Sequence, residues 1–303
     1  MGKRVIRLNS YKGLNILVTG GTGYIGSALV HSLKSTNCNL ILSTKDVSKK
    51  ETWNDIITNE IDIIFHLAGV EVGHETPERD LNVNSVSVLH MLETCVEKGC
   101  NPKIVFSSST NIFGNVEEDI VNEKTISNPP AEWSAHKLLA EHYLEIYHNK
   151  HGLKTITLRL PNVYGPVPNR EVIDRMVINK VIRYGIENKQ LKLYNNKDCY
   201  RDYIFIDDVV NAFLKIGLVD ISFFDGRFLV VGTNKLTTIS EVWNTITDEI
   251  GNVSISVDNS VELNPIEMRS FVGSFTQLYE TTGWKPEIDL KTGIKLSVES
   301  IKE

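Results

Sequence analysis

A short apolar strand running straight into spaced glycines constrains this chain more than any other feature. Asn15 to Thr19 is a compact apolar run, and Gly20-Gly21-Thr22-Gly23-Tyr24-Ile25-Gly26 follows it without a gap. A helix-like segment from Gly26 to Lys34 comes next. In such a strand–loop–helix unit the first glycine permits the tight turn, the second lets backbone approach a pyrophosphate, and the third lets helix and strand touch. The helix N-terminus favours the anion's negative charge. Glycine loops alone are common; the flanking strand and helix make this one a dinucleotide loop in preference to a bare turn.

The same alternation continues downstream. Strands are expected at Asn39 to Ser43, Ile61 to Leu67, Lys103 to Ser107 and Thr155 to Leu160. Helices are expected at Glu51 to Asn59, Asn82 to Lys98 and Glu132 to Asn149. This order implies an α/β fold, a doubly wound parallel (Rossmann) sheet with helices on both faces. After Gly165-Pro166 the pattern loosens into a helix from Val172 to Tyr184, a strand near Leu191 to Tyr194, a strand–helix unit from Tyr203 to Ile216, and an irregular tail. Residues 1–165 are therefore expected to form the dinucleotide-binding domain, with 200–235 returning to it. Residues 166–199 and 236–303 form a smaller C-terminal substrate-binding region over the sheet's carboxyl edge, where ligands bind in such folds. Residues 1–13 read as a short polar extension.

Composition narrows the partners. The net charge of −6 argues against nucleic acid, so an anionic substrate needs a local basic site. The longest apolar run, Ile61 to Val70, is broken by Asp62 and His66 and is too short to span a membrane. Met1-Gly2-Lys3-Arg4-Val5-Ile6 lacks the apolar core of a signal peptide. Cys38, Cys95, Cys100 and Cys199 show no metal-ligand or redox spacing, and free thiols in a reducing cytoplasm are the plain reading. No metal site is expected.

Further segments line up in order with one family. Phe65-His66-Leu67-Ala68-Gly69, Asn84, Phe106-Ser107-Ser108-Ser109-Thr110-Asn111-Ile112-Phe113-Gly114, Arg159-Leu160-Pro161-Asn162-Val163-Tyr164-Gly165-Pro166, Arg201-Asp202-Tyr203-Ile204-Phe205-Ile206-Asp207-Asp208-Val209 and Gly283-Trp284-Lys285-Pro286 accompany the glycine loop. Together they resemble the extended short-chain dehydrogenase/reductase family of nucleotide-sugar epimerases, dehydratases and reductases. The resemblance implies a dinucleotide held by Gly20, Gly23, Tyr24, Ile25, Gly26, Leu67, Ala68, Lys137 and Pro161. It also implies a nucleoside-diphosphate sugar as substrate. The second strand ends Leu42-Ser43-Thr44-Lys45 and lacks the carboxylate that would bind the ribose hydroxyls of NAD. Ser43 and Lys45 suit a 2′-phosphate, which favours NADP over NAD. Asp46, one place late, keeps NAD open, and Lys45 reads equally well as a solvated lysine.

The active-site helix departs from the pattern at one position. Asn128-Pro129-Pro130-Ala131-Glu132-Trp133-Ser134-Ala135-His136-Lys137-Leu138-Leu139-Ala140-Glu141 resembles the family's Pro-x-x-x-Tyr-x-x-x-Lys-Leu-x-x-Glu, with Trp133 where the catalytic tyrosine belongs. A phenol gives and takes a proton, whereas an indole N–H only donates. Ser109 corresponds to the hydroxyl that orients the substrate, and Lys137 to the lysine that holds the nicotinamide ribose. Three readings of Trp133 stay open. His136, one turn away with an ordinary pKa near 6.5, replaces the phenol; the substrate or a water carries the proton; or the protein binds without turnover. The dehydratases of this family carry Asp-Glu just after the serine position, and Thr110-Asn111 stand there instead. Epimerisation, keto reduction or alcohol oxidation remain.

On the substrate side the resemblance assigns the diphosphate to Arg201, with Arg269 as a looser match for a second arginine and Asn162 beside them. The alternative for Arg201 is a surface ion pair with Asp202. Asp207 and Asp208 read as helix caps. The helices Asn82–Lys98 and Glu132–Asn149 carry apolar stripes (Val88 and Leu92; Leu139, Tyr143 and Ile146). In this family such helices pair across a homodimer; the alternative is that each stripe faces its own sheet.

Overall fold

The computed structural model describes residues 10–70, 76–166, 176–220 and 228–303. In chain order the elements begin with β1 (Asn15–Thr19), α1 (Tyr24–Lys34), β2 (Asn39–Ser43), α2 (Lys50–Ile56), β3 (Ile63–His66), α3 (Pro77–Leu81), α4 (Ser87–Lys98) and β4 (Lys103–Ser109). They continue with β5 (Ile120–Val121), α5 (Glu132–His151), β6 (Thr155–Leu160), β7 (Asn162–Tyr164), α6 (Val177–Asn188), β8 (Gln190–Leu193), β9 (Tyr203–Phe205) and α7 (Ile206–Gly217). The last are β10 (Phe228–Val230), α8 (Ile239–Ile250), β11 (Ser254–Val257), β12 (Val272–Gly273), α9 (Thr276–Thr282) and α10 (Leu290–Lys302).

Six strands form one parallel sheet in the order β10-β6-β4-β3-β1-β2. Side-chain alternation sorts them into two cores. Ile16, Val18, Phe65 and Val105 point to the face covered by α1 and α7, while Leu17, Ile64, Ile104 and Phe106 point to the face covered by α2, α4 and α5. Burial on both faces is why these strands read as continuous apolar runs. The chain passes from β2 to β3 through α2 alone, so β2 closes this edge of the sheet, with Leu42 48% exposed. β8 pairs in parallel with β11, and α6, α8 and α10 pack against one another. No described helix is long and apolar enough to cross a membrane.

Several elements differ from the pattern-based expectation, each for a local reason. The helix expected from Asn82 starts at Pro77, where Thr76 accepts a bond from the Arg79 N–H and proline occupies the first turn. A π-helical turn, Asn82–Val86, then separates α3 from α4. The helix expected from Val172 is seen from Val177 to Asn188; positions 172–175 lie outside the described residues. The tail is not irregular. It holds three helices, of which α8 opens on a reciprocal Thr238–Glu241 cap and α10 on Asp289. Tyr11 is no part of a polar extension: it is buried, and its hydroxyl donates to the Leu214 carbonyl. Gly217 makes room for it, since a β-carbon there would collide with the Tyr11 oxygen.

Candidate active site at the carboxyl edge of the sheet

The loop after β1 forms the floor. Gly20 has φ +70° and lies so close to Leu67 and Ala68 that a β-carbon would sit 2.5 Å from the Ala68 nitrogen. A β-carbon at Gly26 would land on the Gly20 carbonyl oxygen. The N-cap Gly23 makes no side-chain cap bond, so the first amides of α1 face the space above the loop. The Tyr24 side chain packs in the core and donates its hydroxyl to the Gly165 carbonyl at 2.8 Å. A cleft of about 540 Å³ opens over this floor, lined by Gly20, Gly23 to Gly26, Leu67, Gly69, Ser109, Trp133, Lys137 and Pro161 among others. This cradle, which side chains would fill, fits a dinucleotide pyrophosphate.

The far end of the expected cofactor site is arranged differently. Ser43 and Lys45 do not line the cleft. Lys45 is exposed and pairs with Asp55 at 2.7 Å, the surface alternative weighed above. Asp46 is bonded by Ser48 and by Arg79 at 3.0 Å, and those bonds hold its carboxyl below the usual range against the effect of desolvation.

The wall of the cleft comes from β4 and α5. Ser107, Ser108 and Ser109 all border the cleft, and the buried Ser108 hydroxyl donates to Glu141 at 2.5 Å. The Ser109 hydroxyl accepts the Asn111 N–H. Lys137 is 6% exposed; its ammonium donates to the Ser107 carbonyl at 3.1 Å and lies over the Phe106 ring. Burial pushes the Lys137 pKa down to about 8, although Asp80 and Glu141 pull it upward. Glu141 lies one turn beyond Lys137 and pairs with Arg159 at 2.6 Å. Arg159 is clasped between Phe113 and Phe228 and leads into the loop that carries Pro161 and Asn162. One carboxylate thus ties β4, α5 and β6 together beneath the cleft.

Trp133 lines the cleft beside Ser109 and Lys137, and its indole N–H donates to the Val70 carbonyl at 2.7 Å. His136 does not line the cleft. It turns toward α3, where its Nδ1 meets Asp80 at 2.8 Å. Asp80 also accepts from Asn84, which in turn donates to the Val70 carbonyl and so pins the end of β3's loop. The sequence held a signal for Glu141, the acid four residues after the lysine. Nothing local marked Asp80 as a partner of a helix more than fifty residues away.

The substrate-side residues come together in an adjoining cavity of about 220 Å³, lined by Asn162, Lys192, Tyr194, Arg201, Tyr203, Trp243, Glu267 and Arg269. It shares Asn162, Val177 and Tyr203 with the larger cleft, so the two adjoin along those residues. Arg201 is buried, and it donates to the carbonyls of Tyr200, Glu267 and Arg269 instead of pairing with Asp202. Asp202 is taken by Thr233 and the Gly273 N–H. The Arg269 pKa is pushed down to about 10 by burial and by the neighbouring Arg201 cation. Two cations held this close in a buried pocket suit an anion. Asn162 donates to the Asp202 carbonyl at 2.9 Å. Asp207 and Asp208 are not side-chain caps of α7, whose N-cap is Phe205; Asp208 accepts from the Glu287 and Ile288 amides and anchors the turn after Trp284. Trp243, Lys192 and Tyr194 were not anticipated, since single aromatic or basic residues carry no motif.

Residues 16–219 match the sequence profile of the NAD dependent epimerase/dehydratase family. A UDP-glucose 4-epimerase of Mycolicibacterium smegmatis is 27% identical in an alignment that covers 94% of this chain and 98% of that protein. A GDP-6-deoxy-D-mannose reductase of Pseudomonas aeruginosa is 25% identical, with 92% of this chain and 94% of that protein covered. The structure of the UDP-glucose 4-epimerase of Thermotoga maritima with UDP-glucose superposes with a TM-score of 0.81 at 26% identity, over 95% of this chain and 99% of that one.

Proposed function

The chain belongs to the NAD dependent epimerase/dehydratase family, and from that premise we propose that it modifies a nucleotide-linked sugar with NAD(P), as an epimerase or a 4-keto reductase in glycan precursor synthesis. One observation carries the reading: the cleft over the glycine cradle and the pocket holding Arg201 and Arg269 adjoin, with Asn162, Val177 and Tyr203 lining both. A dinucleotide on the first and a nucleoside diphosphate on the second bring their reactive ends together near Ser109 and Lys137.

Gly20, Gly23 and Gly26 hold the pyrophosphate, Tyr24, Ile25, Leu67 and Pro161 bound its site, and Lys137 holds the nicotinamide ribose; Ala68 does not line the cleft and acts from behind, packed on Gly20. When bound, the dinucleotide supplies a two-electron redox partner. Ser109 orients the sugar oxygen by a hydrogen bond. Arg201 and Arg269 neutralise the diphosphate, and Asn162 bonds the diphosphate or the sugar. Exposed Lys45 leaves NADP as the preferred dinucleotide, reached when its side chain leaves Asp55 for a 2′-phosphate. The enzyme works in the cytoplasm as a homodimer joined through α4 and α5.

A second reading is favoured by Trp133, whose only N–H is spent on Val70. In it the chain binds dinucleotide and nucleotide sugar without turnover. Incubation with UDP- and GDP-linked hexoses and their 4-keto forms, followed by nicotinamide absorbance and product sugar, separates the two. Product formation is expected. Tight dinucleotide binding with no product across the panel would select the second reading.

A further inference from the structure

The described cleft offers few groups that exchange protons near Ser109. Trp133 has one N–H, already donated to Val70, and no acceptor. His136 does not line the cleft, and its Nδ1 is bonded to Asp80. The Tyr24 hydroxyl is bonded to Gly165, and burial pushes the Tyr203 phenol up to about 12. Lys180 lines the opposite wall on α6 and is exposed to solvent. Lys137 is buried in the wall of the cleft that Ser109 also lines, its amine on the Ser107 carbonyl, and the space over that amine exists because residue 69 is glycine: a β-carbon there would sit 3.2 Å from the lysine nitrogen.

We propose that Lys137 is itself the acid–base residue of this active site, carrying the proton that the missing phenol would carry. The inference rests on the oxidoreductase reading above and adds a role for Lys137 beyond cofactor holding. In the oxidative direction the sugar O–H bond breaks and its proton goes to the neutral Lys137 amine, making an ammonium. A bound oxidised nicotinamide dinucleotide would accept the carbon-bound hydrogen with its electron pair as the C–O bond becomes C=O. In reduction the ammonium returns the proton to the oxygen, and the reduced dinucleotide would supply the hydrogen and electron pair that restore the C–H bond. Ser109 holds the oxygen in both directions.

The surroundings support a titrating lysine. Asp80 from α3 and Glu141 from α5 face it and favour the ammonium. His66 from β3 is buried and held neutral, its pKa pushed down to about 3 by desolvation and by Lys137. Burial outweighs the carboxylates, so amine and ammonium are both populated near pH 8.

The test compares the full chain with Lys137→Arg, which keeps a cation able to reach the Ser107 carbonyl but cannot give up its proton. NADPH binding, followed by fluorescence, is expected to persist in the variant. Turnover of the nucleotide-sugar panel is expected to fall by about a hundredfold or more. Lys137→Ala should be partly rescued by methylamine, with a rate in the oxidative direction that follows the free-amine fraction, as rescue of a merely structural cation would not. A readout independent of turnover is acetic anhydride labelling of Lys137 across pH, read by peptide mass spectrometry; its midpoint is expected near pH 8. If the parent turns over and Lys137→Arg keeps its rate and pH profile, the acid–base role is overturned and the enzyme reading stands. If the parent binds NADPH but converts nothing, the enzyme reading fails and the role with it. A labelling midpoint above pH 10 overturns the role whatever the turnover.

Discussion

At Gly26 a single added carbon acts on the whole cofactor floor. A β-carbon there meets the Gly20 carbonyl oxygen, which is backbone and cannot rotate away. Gly26→Ala is therefore expected to displace the loop from α1 and to weaken NAD(P)H binding at least about tenfold, about 1.4 kcal/mol; a fluorescence titration matching the parent's would contradict the assigned cradle. Trp133 presents the opposite case, a large residue accommodated without loss of its hydrogen bond. Trp133→Tyr places a phenol beside Lys137 and Ser109, and turnover on the nucleotide-sugar panel is expected to rise. The lost bond to Val70 lowers stability by about 1 kcal/mol. His136→Ala should leave turnover close to the parent's, because the imidazole faces Asp80. A collapse in kcat for His136→Ala with unchanged folding would return the histidine to the mechanism.

Among the elements, α5 does more than present Lys137. Through Glu141 it bonds Ser108 on β4 and Arg159 on β6, and both partners are buried. Removing one member of such a pair strands the other charge, so Glu141→Ala is expected to cost about 3–5 kcal/mol. Denaturant unfolding reads that loss directly; a change below about 1 kcal/mol would mean that the link is energetically idle. The same link explains why Ser109 and Lys137 sit in one wall of the cleft although they come from different elements. The π-helical turn before α4 has a comparable role, since it sets Asn84 against Val70 and Asp80.

At the scale of the whole molecule, two buried lysines among the described residues titrate well below their ordinary value of 10.5. Burial pushes Lys103 and Lys137 down to about 8. Above that pH the folded amines have lost protons that the unfolded chain still holds. Unfolding therefore takes up protons, and stability rises with pH. Each lysine contributes up to about 1.4 kcal/mol per pH unit. Burial raises the Cys95 thiol above its ordinary 9.0, which opposes the trend above that point. A denaturant midpoint that rises between pH 8 and 9 is expected; a flat or falling profile would show that these amines are solvated. Assembly belongs to the same scale. Val88 and Leu92 face the chain's own core, whereas Val96 on α4 and Ile146 on α5 are 36% and 51% exposed. The homodimer proposed through these outer faces is expected in light scattering at micromolar concentration, and a monomer there would retire it.

Local order along the chain determined the strand–glycine–helix unit, the alternation that makes a parallel sheet, and the register that puts Lys137 four residues after Trp133. These depend on neighbours within a turn or two, so a sequence displays them. Tertiary contacts decided the rest. Residues three apart on a helix diverge by about 60°, and Asp80 took His136 away from the cleft that Trp133 faces. Arg201 looked free to pair with adjacent Asp202, yet carbonyls from residues 267 and 269 claimed it. Lys45 was drawn to Asp55, and Tyr11 was drawn inward by a space at Gly217. In each case the deciding partner is distant in sequence or set by a fold not yet formed. Hydrogen bonding and desolvation then act between groups whose proximity no periodic pattern records.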